Sequence, residues 1–327
     1  MRKHTGLLVA MAAVVMYGAA LAAEHTFSFA HSVGEESTQQ VAGLAMKKYI
    51  EEKSGGKIVI NIFPNAQLGA DREQMEGVQE GSISMMTSSP APQANFVAAA
   101  AIFDLPFGHA TVADIDKTHS SPKVIAALQK EYAKRGFQLM GVSNLGFRIL
   151  SANKAVNTPD DLKGFTIRTM ENPYHIQLWK SLGANPTPIA MNEVYTSLQQ
   201  GVVDGQENPM ELIYITKFYE QQSHVIKTNH LPHTLVWLMN KDLYDDLPAD
   251  LQKVMDDGVQ VALKAGSEYI FGNNDKYEAE LNKLGTVIID LSPEQLKPFR
   301  EKVQIVWDML KEKVPAEVYD AYVDALK

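Results

Sequence analysis

The sequence has 327 residues, of which 45% are hydrophobic, and a formal net charge of −9 at pH 7. This length allows two α/β domains of ordinary size with sizeable cores. The acidic balance argues against nucleic-acid binding, because no surplus of basic residues exists to meet phosphates. The sequence contains no cysteine, which excludes disulfides, a lipid-attachment cysteine and a cysteine nucleophile.

The first 23 residues have the pattern of a secretory signal peptide. A basic start at residues 2–4 precedes an apolar run at 7–21, which ends in the small-x-small cleavage site Ala-Leu-Ala at 20–22. The alternative, an uncleaved membrane anchor, would need about 20 apolar residues without such an ending. No later stretch of the sequence is long and apolar enough to cross a membrane. The mature protein is therefore predicted to lie free in an exported compartment, most simply the bacterial periplasm.

From His25 onward, strand and helix patterns alternate. Residues 26–30 alternate phenylalanine with polar residues, Ser37 precedes an amphipathic helix, and residues 57–63 are rich in Ile and Val. This order predicts a β-α-β unit with a right-handed connection between parallel strands.

Polar residues follow these first strands. A helix is expected at 71–80 and a further strand at 81–86. Loops at the carboxyl ends of strands line the ligand crevice in such folds, so Ser32, Asp71 and Ser89 are candidates for polar ligand contacts. The alternative is that these three residues only cap helices or form turns.

The strand at 165–169 carries the first candidate for anion binding. Apolar Phe165 and Ile167 face a core, and Arg168 points the other way. A helix follows with Asn172 as its N-cap and Pro173 at its first position. A guanidinium at the end of a strand and beside a helix N-terminus is a place where an anion binds. The alternative is an arginine paired with a structural carboxylate.

A second arginine has a similar setting. Arg148 lies between Phe147 and Ile149, so alternation turns it away from its apolar neighbours. If Arg148 and Arg168 lie on adjacent strands, they would suit a carboxylate, one bidentate and one lateral. Asn208 either donates to a ligand oxygen or caps a helix that begins at residue 209.

Several spaced motifs resemble one family, the periplasmic solute-binding proteins of tripartite ATP-independent periplasmic (TRAP) transporters, or DctP group. The match covers essentially the whole mature chain. Its motifs are FR (147–148), DLKGFTIR (161–168), LGANP (182–186), EVY (193–195) and GVVDGQENP (201–209), extended by QLG (67–69), KFY (217–219) and TNH (228–230).

The resemblance implies an α/β fold with two domains on a hinge, crossing strands between them and a long helix that spans both. The expected long helix covers residues 248–284, which would reach roughly 55 Å. The expected boundaries are a signal peptide at 1–23, domain I at 24–145 plus 233–273, and domain II at 146–232 plus 274–327. The ligand cleft would lie between the two domains.

The resemblance also implies the ligand-binding residues. Arg168 matches the arginine that binds the substrate carboxylate in a salt bridge, and Arg148 and Asn208 match further ligand-contacting positions. Many members carry Phe where this sequence has Met191, before Asn192, which we expect to cap a helix at 193–200. The remainder of the pocket is therefore not assigned by analogy. The candidate ligand residues are Arg168, Arg148, Asn208, Ser32, Asp71, Ser89 and Met191.

The resemblance implies that the protein captures a small organic anion and closes around it, and we expect the protein to act as a monomer. It delivers the anion to a permease of one small and one large integral membrane subunit, driven by an ion gradient. No metal or other cofactor is expected. Uronates, C4-dicarboxylates, oxo or hydroxy acids and small sulfonates all remain possible ligands.

Two alternatives stay open. One is a secreted enzyme acting on an organic acid, but the sequence lacks Gly-x-Ser-x-Gly and His-Glu-x-x-His motifs. His230 and His233 are three residues apart with Pro232 between them, which spoils helical metal spacing, so we interpret them as packing or pocket-rim residues. The other alternative is a binding protein that serves a sensor kinase, which the sequence does not separate from a transport protein.

Overall fold

The computed structural model of the protein describes residues 23–327. The predicted signal peptide therefore lies outside the described residues, apart from Ala23. None of the helices formed by residues 23–327 combines the length and the hydropathy that a membrane span requires.

The first part of the chain forms the predicted β-α-β unit. Strand β1 pairs in parallel with both β2 and β3. The third strand starts four residues later than expected, because Gly81 adopts a left-handed conformation at the end of the preceding helix. The elements are β1 His25–Ala30, α1 Thr38–Lys53, β2 Ile58–Phe63, α2 Asp71–Glu80, β3 Met85–Ser88, α3 Pro90–Gln93, α4 Val112–His119 and α5 Pro122–Ala133.

Two long antiparallel strands form the middle of the sheet, β4 Phe137–Ala152 and β8 His224–Asn240. Strand β8 pairs with β3 through residues 236–239. Strand β4 is continuous over 16 residues, and the register shifts in its pairing with β8 bend it without ending it.

The part of the chain between β4 and β8 adds a second set of strands. Strand β5 is parallel to β6 and β7, and β7 is antiparallel to β4. Asn192 does not cap a helix, because it lies inside a 3₁₀ turn at Met191–Glu193 that leads directly into α7. The elements are β5 Thr166–Thr169, α6 Pro173–Ser181, β6 Asn185–Pro188, α7 Val194–Gln199, β7 Gly205–Asn208 and α8 Met210–Ile215.

The last part is mostly helical. The sheet order is β2-β1-β3-β8-β4-β7-β5-β6, with β9 paired to the first residues of β8. The elements are α9 Lys241–Asp245, α10 Ala249–Lys283, β9 Val287–Asp290, α11 Pro293–Lys302, α12 Gln304–Lys313 and α13 Ala316–Leu326.

Helix α10 has 35 residues and one residue fewer at each end than predicted. Its first half contributes Met255 and Val259 to a core shared with α1, β1 and β2. Its second half contributes Tyr277 and Leu281 to a different core, shared with α7, α8 and Ile149 of β4. One helix therefore joins two hydrophobic cores, as expected for a helix that spans two domains.

The C-terminal helices pack against residues of both predicted domains. Leu310 of α12 lies in one core cluster with Trp179 of α6, and Tyr322 of α13 lies in the same cluster with Leu128 of α5. The domain boundaries at 24–145 plus 233–273 and at 146–232 plus 274–327 remain a prediction.

Candidate functional site

Two adjoining cavities lie where the first and second sets of strands meet. The outer cavity has a volume of about 380 Å³ and the inner cavity about 40 Å³. They share four lining residues, Asp71, Arg168, Met170 and Met191. The inner cavity is lined by all seven residues that the sequence analysis proposed as ligand contacts, namely Ser32, Asp71, Ser89, Arg148, Arg168, Met191 and Asn208.

Arg168 is a buried charge with free hydrogen-bond donors. It is the third residue of β5 and is 2% exposed. Its Nε donates to the carbonyl oxygen of Ile189 at 2.8 Å. Among residues 23–327, no side chain forms an ion pair with Arg168 and no acceptor binds Nη1 or Nη2. Burial lowers the pKa of Arg168 to about 10, so the group remains charged at neutral pH.

Arg148 has a different environment, because it forms an ion pair with Glu207. Its Nε lies 2.5 Å from Oε2 of Glu207, and its Nη2 donates to Oε1 at 2.9 Å. Arg148 Nη2 also donates to Oδ1 of Asn208 at 3.0 Å, and Nη1 donates to Nδ1 of His233 at 3.4 Å. Most of its donors are therefore occupied within the chain, which leaves Nη1 as the donor with the weakest partner.

Arg148 and Arg168 do not lie on adjacent strands, so this condition for a joint carboxylate site is not met, although both residues line the inner cavity. Strand β7 lies between β4 and β5 and places Glu207 beside Arg148. Strand β7 comes later in the sequence than β4 and β5. The alternation of residues within β4 and β5 therefore did not indicate that another strand separates them. The alternative of an arginine paired with a structural carboxylate therefore describes Arg148 and not Arg168.

Glu207 is a buried charged residue that the sequence analysis did not name. Burial alone would raise the pKa of Glu207, but the Arg148 guanidinium and the hydrogen bond with His230 lower it well below its usual range. One signal was available in the sequence, since Gly205–Asn208 is a strand made of Gly-Gln-Glu-Asn that is buried throughout. Three polar side chains in an interior strand indicate a hydrogen-bonded network.

The histidines near this network are neutral and buried. His230 bonds Oε2 of Glu207 at 3.1 Å, and burial lowers its pKa. Burial, with a smaller effect of Arg148, lowers the pKa of His233 to about 3. His233 lines the inner cavity, whereas His230 packs edge-on against Trp179. Within residues 23–327, no group of three or more side chains has the arrangement of a metal site.

Asn208 does not cap α8, whose N-cap position is Pro209. Its Nδ2 donates to Oε1 of Gln206 at 2.5 Å and lies 4.0 Å from Sδ of Met191. Asn208 therefore joins the buried network of β7 to the inner cavity.

The opposite wall of the inner cavity comes from the first part of the chain. Ser32 Oγ donates to Oδ1 of Asp71 at 2.5 Å, and Gln74 Nε2 donates to Ser32 Oγ at 3.0 Å. Burial raises the pKa of Asp71, which the Ser32 hydrogen bond and the Arg168 charge oppose. Ser89 occupies the N-cap position of α3 without a side-chain capping bond. Asp71 thus has both of the roles considered for it, a place in the first turn of a helix and a place on the cavity wall.

Residues 29–313 match the bacterial extracellular solute-binding proteins of family 7, the DctP family. The chain belongs to this family. The DctP family comprises periplasmic solute-binding proteins of TRAP transporters and not enzymes, so the predicted family is confirmed and the enzyme alternative is set aside.

Sequence and structure comparisons agree on this membership. A solute-binding protein of Verminephrobacter eiseniae is 38% identical over 277 residues, which cover 83% of this chain and 81% of that protein. The TRAP periplasmic solute-binding protein of Sulfurospirillum deleyianum, solved with bound succinate, is 27% identical with a TM-score of 0.86 and covers 93% of this chain and 100% of its own. The corresponding protein of a Polaromonas species, bound to D-erythronate, is 27% identical with a TM-score of 0.86 and covers 91% and 98% of the two chains.

These similarities confirm the predicted fold class of the DctP chain, a two-domain α/β periplasmic binding protein with a long helix. They extend over nearly the whole described chain. The residues of the cavity wall therefore belong to the fold that the family shares.

Proposed function

We propose that this protein is the solute-binding component of a TRAP transporter and that it captures a small organic anion in the cavity around Arg168. The observation that carries the proposal is the state of Arg168, a buried guanidinium whose two terminal nitrogens lack a partner among the described residues. A buried charge without a counterion is costly, so such an arrangement is expected where a ligand supplies the opposite charge.

The geometry suits a carboxylate. Because Nε of Arg168 is held by the Ile189 carbonyl, the terminal nitrogens have a fixed direction and offer parallel donors to two oxygens. Asn208 and Nη1 of Arg148 line the same inner cavity and would contact the ligand laterally. Ser32, Asp71, Ser89 and Met191 would contact the remainder of the ligand.

Capture would proceed by domain closure. The predicted domain I contributes Ser32, Asp71 and Ser89, and the predicted domain II contributes Arg168 and Asn208. A ligand that contacts both walls stabilises the closed state by its differential affinity for that state. Closure also excludes water, which strengthens the pair between the guanidinium and the anion.

A binding screen tests the proposal. Uronates, C4-dicarboxylates, hydroxy and oxo acids and small sulfonates are added to the mature protein, and thermal unfolding is followed. A ligand at 100 times its dissociation constant should stabilise the protein by about 2.7 kcal/mol. The screen is repeated with Arg168→Ala and with Arg300→Ala, whose arginine is exposed on α11 and lines neither cavity. Stabilisation by no acid, or equal stabilisation in Arg168→Ala, would contradict the proposal.

Delivery is the second part of the proposal. We infer that the loaded protein, acting as a monomer in the periplasm, docks on a permease of a small and a large integral membrane subunit that uses an ion gradient. Uptake of the identified acid by vesicles that contain both subunits should require this protein and the gradient. Uptake that continues without the protein would contradict this part and leave ligand binding intact.

A further inference from the structure

The charges around the two cavities favour a ligand with only one anionic group. Arg148 is neutralised by Glu207, so the inner cavity retains one free cation, Arg168, and one free anion, Asp71, among its described lining residues. The outer cavity carries more acidic than basic side chains. Its charged lining residues are Asp71, Glu73, Glu171 and Glu193 against Arg72 and Arg168. A second carboxylate on the ligand would therefore meet an excess of negative charge in the outer cavity and no second unpaired cation among the described lining residues of the inner cavity.

Asp71 presents a vacant acceptor to the ligand. It lines both cavities together with Arg168, yet the two side chains do not form an ion pair. Oδ1 of Asp71 accepts from Ser32, whose hydroxyl is in turn held by Gln74. Oδ2 accepts no hydrogen bond from any described residue. The carboxylate is thus oriented by one oxygen and free to accept a ligand donor with the other.

Two more polar groups of the inner cavity lack partners. Oε1 of Gln39 and Nε2 of His233 are buried without a hydrogen bond in the described part of the chain, at 5% and 2% exposure of their residues. His233 accepts from Arg148 at Nδ1, so in the neutral ring the proton lies on Nε2, which is a donor. Buried polar groups of this kind are normally satisfied, so a ligand that both donates and accepts would complete them.

We infer that the site selects monocarboxylates that carry hydroxyl groups and rejects dicarboxylates of the same length. The carboxylate binds Arg168, one hydroxyl donates to Asp71, and a hydroxyl deeper in the cavity donates to Gln39 and accepts from His233. A hydroxyl group suits these positions because it is both a donor and an acceptor. This inference rests on the proposed function and names the class of acid within it.

The test compares acids of equal carbon number. D-Erythronate and succinate both have four carbons, but the first has one carboxylate and three hydroxyls and the second has two carboxylates. Galactonate and galactarate make the same comparison at six carbons, since both are polyhydroxylated and only galactarate has a second carboxylate. Dissociation constants are measured by calorimetry at about pH 8, because burial raises the pKa of Asp71 and a higher pH favours its ionised form.

We expect the monocarboxylate of each pair to bind at least about tenfold more tightly than the dicarboxylate. In Asp71→Asn, which keeps an acceptor for Ser32, the monocarboxylate should lose about tenfold in affinity and the dicarboxylate should not weaken. Glu76 lies on the exposed face of α2, the helix that carries Asp71. The control Glu76→Gln should leave the affinity ratio of monocarboxylate to dicarboxylate unchanged in both pairs of acids.

Three outcomes overturn the inference: a dicarboxylate that binds as tightly as its monocarboxylate partner, an unchanged ratio in Asp71→Asn, or a tightest ligand in the wider screen with two carboxylates or no hydroxyl. Each of these leaves the proposed function intact as long as binding depends on Arg168. Binding that does not depend on Arg168, by contrast, removes the proposed function itself.

Discussion

The guanidinium of Arg148 and the carboxylate of Glu207 form a two-point ion pair in the interior of the sheet, with Nε 2.5 Å from Oε2 and Nη2 2.9 Å from Oε1. Arg168, two strands away on β5, has no such partner among the described residues. The two arginines line one cavity, but the first holds the wall together and the second is available to a ligand. Replacing Arg168 should therefore mainly weaken ligand binding, whereas replacing Arg148 should mainly lower the stability of the fold.

Replacing Arg168 should remove binding without lowering stability. Arg168→Ala is expected to cost on the order of 3–5 kcal/mol of binding free energy for a carboxylate ligand, because the ligand would be buried without its counterion. Since the ligand-free protein buries this charge unpaired, the free energy of unfolding should stay equal or rise. Calorimetry and urea unfolding of the same variant measure both effects. Unchanged affinity in Arg168→Ala would contradict the assignment of Arg168 as the residue that binds the carboxylate.

Replacing Arg148 should lower stability first. Arg148→Ala leaves Glu207 charged and buried, which is expected to destabilise the fold by about 3–5 kcal/mol. The double variant Arg148→Met with Glu207→Leu removes both charges and should recover most of that loss, because apolar residues of similar volume replace a buried ion pair at little cost. Urea unfolding of the two variants gives the comparison. A double variant no more stable than Arg148→Ala would show that the pair is not the main interaction of Arg148.

Local signals in the sequence located several elements of this fold. Helix α2 has the bounds predicted for it, and α1 begins directly after Ser37, whose side chain accepts from the backbone nitrogen of Gln40. Asn172 caps α6 as predicted, with bonds from the two backbone nitrogens that follow Pro173. Caps and alternation act over a few residues, so a single stretch of sequence reveals them.

Contacts between distant parts of the sequence could not be predicted from such local signals. Glu207, the partner of Arg148, is 59 residues away in the sequence. Its strand, β7, lies in the sheet between β4 and β5, which both come earlier in the sequence. Asn192 is a second example. Its side chain is suited to capping a helix, but the residue lies inside a 3₁₀ turn whose conformation depends on tertiary packing. The seven residues proposed as ligand contacts all line the inner cavity, whereas Gln39 and His233 of the same cavity were not among them.

The stability of the protein should depend on pH through Glu211. This buried side chain accepts from the backbone nitrogen and the hydroxyl of Thr38, at 2.6 and 2.8 Å, at the start of α1. Burial raises its pKa from 4.5 to about 7, with the Thr38 bonds opposing. The folded protein therefore holds this proton over a range where the unfolded chain has released it, so stability falls as pH rises from about 4.5 to about 7.

The comparison with Glu211→Gln isolates this effect. The wild-type protein should lose on the order of 2–3 kcal/mol relative to the variant between about pH 5 and pH 8, because the variant has no carboxyl to ionise. Glu80→Gln, at an exposed position of α2, is the control and should follow the wild type at every pH. If the difference between the wild type and Glu211→Gln were the same at both pH values, Glu211 would not titrate in this range.

Two glycines of α10 should respond in opposite directions to the same substitution. A Cβ at Gly258 would overlap Cγ1 of Ile50 on α1, whereas a Cβ at Gly272 would have no atom within 4 Å. Alanine favours a helix over glycine by about 0.5–1 kcal/mol, so Gly272→Ala should stabilise by that amount. Gly258→Ala gains the same propensity but forces apart the packing of α1 on α10, for a net loss of about 1–3 kcal/mol. Urea unfolding measures both.

The double variant Gly258→Ala with Ile50→Ala decides whether steric overlap is the cause. Removing the Ile50 side chain alone leaves a cavity and should destabilise the fold by about 2–5 kcal/mol. If the methyl group introduced by Gly258→Ala fills part of that cavity, the two substitutions together should cost less than the sum of their separate effects, because the residues are in contact. Strict additivity, or a stabilising Gly258→Ala, would mean that α1 and α10 are not packed as closely as the glycine indicates.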